Sequence, residues 1–306
     1  MPTSLPEVAV IVLNWNGKDD TLSCLKSVRA QENIVVHMML VDNASIDHSV
    51  PAVRESFPEA EIIETGANLG YAGGNNVGLK HALKRGFEYT FVLNNDTVLD
   101  PYCLANLVAD LNAHPNAAAA APKALFLDSP TTIYFAGGTL SPGGAPEHVG
   151  MGQQDGPQFF SCDTEWVTGC AILFRSRVLK EISLFESKFF LLFEDLDWSM
   201  RARKLGYKLR FVADARLWHK ASASFGKTFS PLYWYYYSRN NLLWIERAFS
   251  RRQRPRLYFS ALKRTLYAVL LDGNMPTLER KQIRRSVARG VSDYLFRRFD
   301  ERNSWR

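Results

Sequence analysis

"VAVIVLNWN", residues 8–16, is an unbroken apolar, β-branched run that stops on Asn14 and Asn16. A continuous rather than alternating apolar run of this length belongs to a strand buried on both faces. The same pattern returns downstream. "VVHMMLVDNAS" ends on Asp42 and Asn43, "EIIET" leads into "GANLGYAGGNN", and "YTFVLNND" stops on Asn94, Asn95 and Asp96. Between these runs lie amphipathic stretches. "DDTLSCLKSVRAQ" places Leu22, Leu25 and Val28 on one helical face, "IDHSVPAVRESF" follows the second strand, and "NVGLKHALKRG" closes on Gly86, a helix C-cap residue. Pro101 is in the position of a first-turn proline opening a helix through "YCLANLVADLNAH".

Strand and helix in alternation predict an α/β fold with a mostly parallel sheet flanked by helices. In such sheets ligands bind beyond the carboxyl ends of the strands. Three strand ends here are polar, Asn14/Asn16, Asp42/Asn43 and Asn94/Asn95/Asp96, and the topology brings them to one edge.

The rest is less periodic. Residues 129–165, rich in Gly and Pro, read as hairpins and loops, either a cover for a ligand or a plain connector. "WVTGCAILFRS" reads as a buried strand and "RVLKEI" as a short helix. "EDLDWSMRARKLG" reads as a helix with acidic residues in its first turn, and "KLRFVADARLWHK" as a strand leading to His219. After "YWYYYSRNNLLW" the pattern is helical, with Ile283, Val287, Val291 and Leu295 recurring every fourth residue. No internal repeat is present.

The 306 residues allow one large domain, or a domain with an appendage, and 46% hydrophobic composition is ordinary for a globular protein. The net charge of +6 is uneven. Residues 1–238 hold 20 Lys+Arg against 25 Asp+Glu, whereas residues 239–306 hold 17 against 6. The chain therefore divides into an α/β domain, 1–238, and a basic helical C-terminal extension, 239–306. A basic amphipathic extension suits an anionic membrane surface, an oligomer contact or a solvated face. No RRM, KH or helix-turn-helix signature accompanies it, so a nucleic-acid partner is not expected. Cys24, Cys103, Cys162 and Cys170 are widely spaced, with neither a zinc nor a disulfide pattern, which fits a reducing cytoplasm. The opening "MPTSLPEVAVIVLNWNG" has no basic region before an apolar stretch, and no apolar run reaches the roughly 18 residues of a spanning helix. A cytoplasmic protein, or one peripheral on the inner face of the membrane, is expected.

Asp96, with neighbouring side-chain oxygens, can hold a hard cation such as Mg²⁺ or Mn²⁺, which completes its shell with water and phosphate. The same triplet also reads as a turn and cap for the helix near Pro101. Gly66, Gly70, Gly73 and Gly74 lie between a strand and a helix, where backbone N–H groups can approach phosphate or sugar oxygens, although the spacing is not that of a dinucleotide fingerprint. In "FFLLFEDLDWSMR" the carboxylates Glu194, Asp195 and Asp197 emerge from an apolar wall. That suits a general base with a shifted pKa, and equally a helix start that favours acidic residues. His219 is either a metal ligand or structural.

Six ordered blocks, "VAVIVLNWNG", "LVDNASIDHS", "GANLGYAGGNN", "FVLNNDTVLDP", "FEDLDWSMRARKLGY" and "WHKASAS", covering about residues 8–245, together resemble the inverting GT-A glycosyltransferases of the second sequence family, in their rhamnosyltransferase-like branch. The resemblance implies a GT-A (Rossmann-like) fold and a divalent metal cofactor. It implies a nucleotide-sugar donor, dTDP-rhamnose first and a UDP-sugar next, and a saccharide or lipid-linked acceptor in cell-surface polysaccharide synthesis. Residue by residue, Asp42 matches the aspartate that contacts base or ribose, with Asn14 beside it. Asn68, Gly70, Gly74 and Asn75 match the loop bordering the nucleotide sugar, and Asn94 and Asn95 lie in the same donor region. Asp96 matches the metal-binding end of the Asp-x-Asp motif and His219 a histidine that assists metal and diphosphate. Asp195 matches the catalytic base of the Glu-Asp pair, with Glu194 its partner. Asn94 departs from the pattern by replacing the first aspartate, which lowers the local negative charge and the expected metal affinity. A sugar nucleotidyltransferase is the competing enzyme class, but "LNWNGKDDT" supplies no convincing triphosphate-activating basic loop. A non-catalytic sugar-nucleotide binder fits poorly with both Asp96 and Asp195 being present.

Overall fold

The computed structural model describes residues 5–220, 230–271 and 277–299. Strands β1 (Glu7–Asn14), β2 (Val35–Asp42), β3 (Glu61–Glu64) and β4 (Tyr89–Asn94) alternate with helices α1 (Lys18–Arg29), α2 (Ser49–Ser56) and α3 (Gly70–Arg85). A short β5 (Thr97–Leu99) and helix α4 (Cys103–Ala113) follow, then β6 (Ala117–Phe126) and β7 (Ser129–Phe135). A small hairpin, β8 (Gly138–Leu140) with β9 (Pro146–His148), precedes β10 (Cys162–Asp163) and β11 (Ala171–Arg175). Helices α5 (Ser176–Ile182) and α6 (Glu194–Lys204) lead to β12 (Lys208–His219). Three helices close the described chain: α7 (Pro231–Ala248), α8 (Arg254–Leu271) and α9 (Thr277–Leu295).

The main sheet runs β10-β12-β6-β11-β4-β1-β2-β3, with β5 beside β12 and β7 beside β6. β3, β2, β1 and β4 are mutually parallel, as are β6 and β12, while β11 lies antiparallel between β4 and β6. The mostly parallel sheet expected from the apolar runs is therefore present, and Val8 to Val12 are fully buried.

Three local expectations need correcting. The glycine-rich segment is not a loop as far as Asn75, because α3 already begins at Gly70. Gly74 faces Leu13 and Asn43, and Gly78 faces Ile11 and Val41, so closely that a Cβ at either position would collide. These glycines let the helix lie against β1 and β2 rather than breaking it. Second, α4 starts at Cys103, two residues after Pro101, and the Asp100 side chain accepts from Tyr102 N–H at 3.0 Å. β5 separates Asn94–Asp96 from α4, so the triplet does not cap that helix. Third, the every-fourth-residue stripe on α9 does not stay on one face. Ile283 is fully buried and Leu295 exposed, since a spacing of four drifts about 40° per step on a helix with 3.6 residues per turn.

The alanine-rich β6 has no counterpart among the strands read from the sequence, because alanine carries little β-propensity. Its Ala117–Ala121 are fully buried. Pro122 falls where the β6–β12 register slips, between Val212 and Arg216, which is where a sheet tolerates a missing N–H. Residues 129–165 form hairpins packed on β6 through Leu125, Ile133, Ala136 and Phe159.

The charge boundary after Ser238 falls inside α7. That helix buries Trp234, Tyr235, Tyr236, Trp244 and Ile245, and α9 packs along it through Gly290. A Cβ at Gly290 would lie 2.5 Å from the main-chain oxygen of Tyr235, an atom that cannot swing aside. Gly290→Val should therefore lose about 1–3 kcal/mol by overpacking. Urea unfolding measures it, and an unchanged midpoint would show that α9 does not seat on α7 in solution.

Candidate active site

The register of β1 brings the polar strand ends side by side, with Asn14 opposite Asp42 and Leu13 opposite Asn94. Asn14 is fully buried and is the hub of the edge. Its Nδ2 donates to Asp42 Oδ1 (2.8 Å) and Ser45 Oγ (3.0 Å), and its Oδ1 accepts from Thr21 Oγ1 (2.9 Å) and Asn95 Nδ2 (3.2 Å). Asp42 Oδ2 accepts from Ser45 N–H at 2.9 Å. Each carboxylate oxygen keeps a lone pair beyond the one already used. Asn95 thus belongs to this lock, while Asn94 is tied through its main chain, its N–H donating to Cys170 O at 2.9 Å.

The loop before α3 joins the same edge. Asn43 Nδ2 donates to Gly70 O (3.0 Å), and Asn68 Oδ1 accepts from Gly70 N–H (2.9 Å). Gly70 has φ 69° and is closed in by Phe190, so both its conformation and its lack of a side chain are required. Asn75 is fully buried; its Nδ2 donates to Tyr71 O (3.0 Å), and its Oδ1 has no hydrogen-bond partner. A cleft of about 350 Å³ opens beside the lock, lined by Asn16, Gly17, Lys18, Asp19, Asp20, Asp47 and Lys220.

Asp96 and His219 come together because β5 returns antiparallel to the end of β12, pairing Thr97 with His219. His219 Nε2 lies 3.2 Å from Asp96 Oδ1, and both residues are buried. Beyond that contact, Asp96 Oδ1 and His219 Nδ1 are buried without hydrogen-bond partners. A buried carboxylate oxygen left open beside an imidazole is a donor set that a divalent cation would satisfy, with diphosphate and water completing its shell. Among the described residues no group of three or more His, Cys, Asp or Glu forms a centre built from protein alone. The last resemblance block, "WHKASAS", runs from residue 221 onward outside the described residues.

The acidic pair starts α6. Asp195 is only partly buried, and its carboxylate accepts from Gly169 N–H (2.8 Å, Oδ2) and Leu196 N–H (2.7 Å, Oδ1). Burial raises its pKa, and these amides work against the rise by favouring the charged form. Glu194 is 5% exposed with Oε2 unpartnered, and burial together with the Asp195 charge holds its pKa well above the usual carboxylate range.

The two halves of the site are joined by residues that the sequence did not single out. Cys170 O receives the Asn94 N–H, and Gly169, one residue earlier, gives its N–H to Asp195. Tyr71 OH donates to Gly169 O. The Tyr134 ring packs edge-on against His219 at 4.7 Å. Burial, first, raises both phenols, and nearby acidic groups add to it, Glu194 and Asp195 foremost at Tyr71. A glycine just before the buried strand "AILFR" was the one available signal for Gly169, and nothing in the local pattern marked the tyrosines.

A parallel sheet whose carboxyl edge joins a polar lock, an Asp/His pair and a helix-start acidic pair defines a GT-A-type glycosyltransferase fold. Two solved structures share it. A mannosyltransferase from Pyrobaculum calidifontis in complex with GDP-Man and Mn²⁺ superposes with TM-score 0.57 at 16% identity, covering 97% of this chain and 89% of the other. TarS 1–349 of S. aureus in complex with UDP-GlcNAc gives 0.58 at 17% identity, covering 94% and 81%. The sequence model of Glycosyl transferase family 2 matches residues 9–182, more than half the chain, and the protein belongs to that family. Similar sequences include a low-salt glycan biosynthesis hexosyltransferase of Haloferax volcanii, 24% identical over 66% of this chain but only 63% of its own length. An N-acetylglucosaminyl-diphospho-decaprenol L-rhamnosyltransferase of Mycobacterium tuberculosis is 24% identical over 63% and 69%. A dTDP-rhamnosyl transferase of Shigella flexneri is 19% identical over 78% and 80%. Asp195 and His219 lie beyond the matched family segment.

Glu194 makes stability depend on pH. Its folded pKa is raised above 4.5, so its full contribution is present below that value and is lost as pH rises through the folded pKa. Glu194→Gln should therefore melt higher than the parent at neutral pH, with the difference shrinking towards pH 4. Calorimetric melting across that range checks it, and parallel pH curves would place Glu194 in an unperturbed setting.

Proposed function

We propose that the protein is a metal-dependent inverting glycosyltransferase that moves a sugar from a nucleoside-diphosphate sugar to a hydroxyl of a saccharide or lipid-linked acceptor. The reading is carried by one observation. Gly169 and Cys170 tie the Asp195 carboxylate to the end of β4 that leads into Asp96, so a base and a diphosphate-side anchor are held on adjoining segments at one edge of the sheet.

In this reading the nucleotide lies over the Asn14–Asp42 lock, with the loop Asn68–Gly70 and the residues Gly74, Asn75, Asn94 and Asn95 bordering the donor. Asp96 and His219 would hold Mg²⁺ or Mn²⁺. Such an ion supplies charge neutralisation for the departing diphosphate. Asp195 accepts the proton of the acceptor hydroxyl while that oxygen forms a bond to the anomeric carbon. The bond from that carbon to the diphosphate breaks, and the electron pair leaves with the nucleoside diphosphate from the opposite face. The Gly169 and Leu196 amides aim the carboxylate and favour its charged form against the effect of burial. The rhamnosyltransferases among the relatives support dTDP-rhamnose as donor, with a UDP-sugar next.

Asp195→Asn should abolish transfer while nucleotide affinity stays within about twofold; undiminished turnover would remove Asp195 as the base. Asp96→Ala should weaken Mn²⁺-dependent nucleotide binding in a calorimetric titration, and an unchanged titration would remove Asp96 as the anchor. Release of nucleoside diphosphate distinguishes this reaction from nucleotidyl transfer, which releases pyrophosphate.

The second part of the reading concerns the C-terminal helices. No described helix is long and apolar enough to cross a membrane. The outward face of α8 exposes Phe259, Leu262, Leu266 and Tyr267, and residues 251–271 contain six Arg or Lys and no acidic residue. An apolar stripe edged by cations fits the surface of an anionic membrane, where a lipid-linked acceptor would lie. Co-sedimentation with vesicles containing phosphatidylglycerol should fall sharply in Phe259→Asp/Leu266→Asp; equal partitioning of variant and parent would end this part of the reading.

A further inference from the structure

The run just before the acidic pair is the most contorted stretch among the described residues. Phe190, Leu192 and Phe193 have φ of 61°, 71° and 74°, a region that bulky L-residues avoid because Cβ crowds the main chain. Such a run persists only where its surroundings over-determine it. The surroundings here are two fully buried side chains of α7. Asn240 Nδ2 donates to the main-chain oxygens of Phe189 (2.7 Å), Leu191 (2.7 Å) and Leu192 (3.1 Å). Arg239 Nη2 donates to the oxygens of Lys188 (3.0 Å) and Phe189 (2.9 Å), and its Nε donates to Asn240 Oδ1 (2.9 Å).

Arg239 is a buried cation, and among the described residues no carboxylate pairs with it. Its charge is met by those carbonyls and by the faces of Tyr235, Tyr236 and Phe299. Burying a charge is costly, and here Nη1 has no hydrogen-bond partner, so the hydrogen bonds that this guanidinium makes to main chain go to Lys188 and Phe189 alone. The other side of the segment is also held. Ala72 N–H of α3 donates to Phe190 O (3.1 Å), while on the α7 side the Phe190 ring stacks on Tyr236 at 5.3 Å. Arg247 of α7 reaches Asp197 downstream, in the first turn of α6, at 2.6 Å and Glu186 upstream at 2.9 Å. α7 thus grips the chain on both sides of Glu194 and Asp195.

We propose that Arg239 and Asn240 are positioning residues that hold Phe190–Phe193 in the left-handed run which delivers the Asp195 carboxylate to Gly169 and the open edge of the sheet. The proposal rests on the reading of Asp195 as the base. It assigns the helices around α7 a role as a brace for the catalytic segment, since α9 backs α7 where Gly290 meets Ser238 and Tyr235 OH donates to Asp293 (2.8 Å).

Asn240→Leu keeps the volume and removes the donors, and Arg239→Lys keeps the charge with fewer donors. Both should lower kcat at least tenfold, with KM for the sugar nucleotide and nucleoside-diphosphate affinity within twofold. Amide exchange should quicken over residues 187–196 while the central strands stay protected, and the acid limb of kcat should move. A kcat per folded molecule equal to the parent's, or a loss spread equally over KM and nucleotide affinity, would overturn the proposal. If neither variant folds, exchange in the parent protein decides: amides 188–193 protected like the central strands support the brace, and loop-like exchange overturns it. Asp195→Asn is measured alongside. If it turns over at the parent rate the base assignment fails by itself, and the brace then stands or falls on the exchange result.

Discussion

A parallel sheet leaves its strand ends with main-chain groups and side chains facing a common edge, and everything polar at that edge must find a partner. Here the partner is Asn14. One buried amide joins the ends of β1, β2 and β4 and the start of α1 through Asp42, Ser45, Thr21 and Asn95. Removing a member of such a network strands a buried donor or acceptor, which costs about 1–3 kcal/mol. That cost explains why three strands end on amide and carboxylate side chains rather than on ordinary turn residues. The lock also fixes where Asn94 lies, and with it Cys170, Gly169 and the segment that carries Asp195.

The second constraint acts from outside the sheet. The segment from Ser187 to Phe193 has little regular structure of its own, and its left-handed residues are held by α7 on one side and α3 on the other. α7 reaches this position because its buried aromatics pack on the core and on α9. The basic C-terminal part of the chain, which composition alone marks as an appendage, is in the structure bound up with the segment that presents the acidic pair. Its cations include two contrasting sets. Arg239 and Arg247 face inward to main-chain oxygens and carboxylates, whereas Arg251, Arg252, Arg256 and Lys263 are exposed.

Much of this was legible in the residues. Continuous apolar runs with polar stops predict buried parallel strands, and the order of the blocks marked Asp42, Asp96, Asp195 and His219. Other features were hidden for identifiable reasons. The alanines of β6 have weak strand preference, and only burial between other layers makes them a strand. The glycines of α3 look like breakers until Leu13, Ile11 and Val41 are seen to leave no room for a Cβ. Arg239 and Asn240 carry no local signal, because their partners are carbonyls about fifty residues earlier.

The sequence by itself determined the strands β1 to β4, the helices between them and the polar residues that end those strands, since periodicity and strand-end chemistry are local properties. Only the tertiary structure decided that Asp96 faces His219, that Gly169 aims Asp195, and that α7 holds the contorted run before it. Those relations depend on sheet order, register and main-chain oxygens meeting side chains far away in the chain, and such partners leave no trace in spacing or composition.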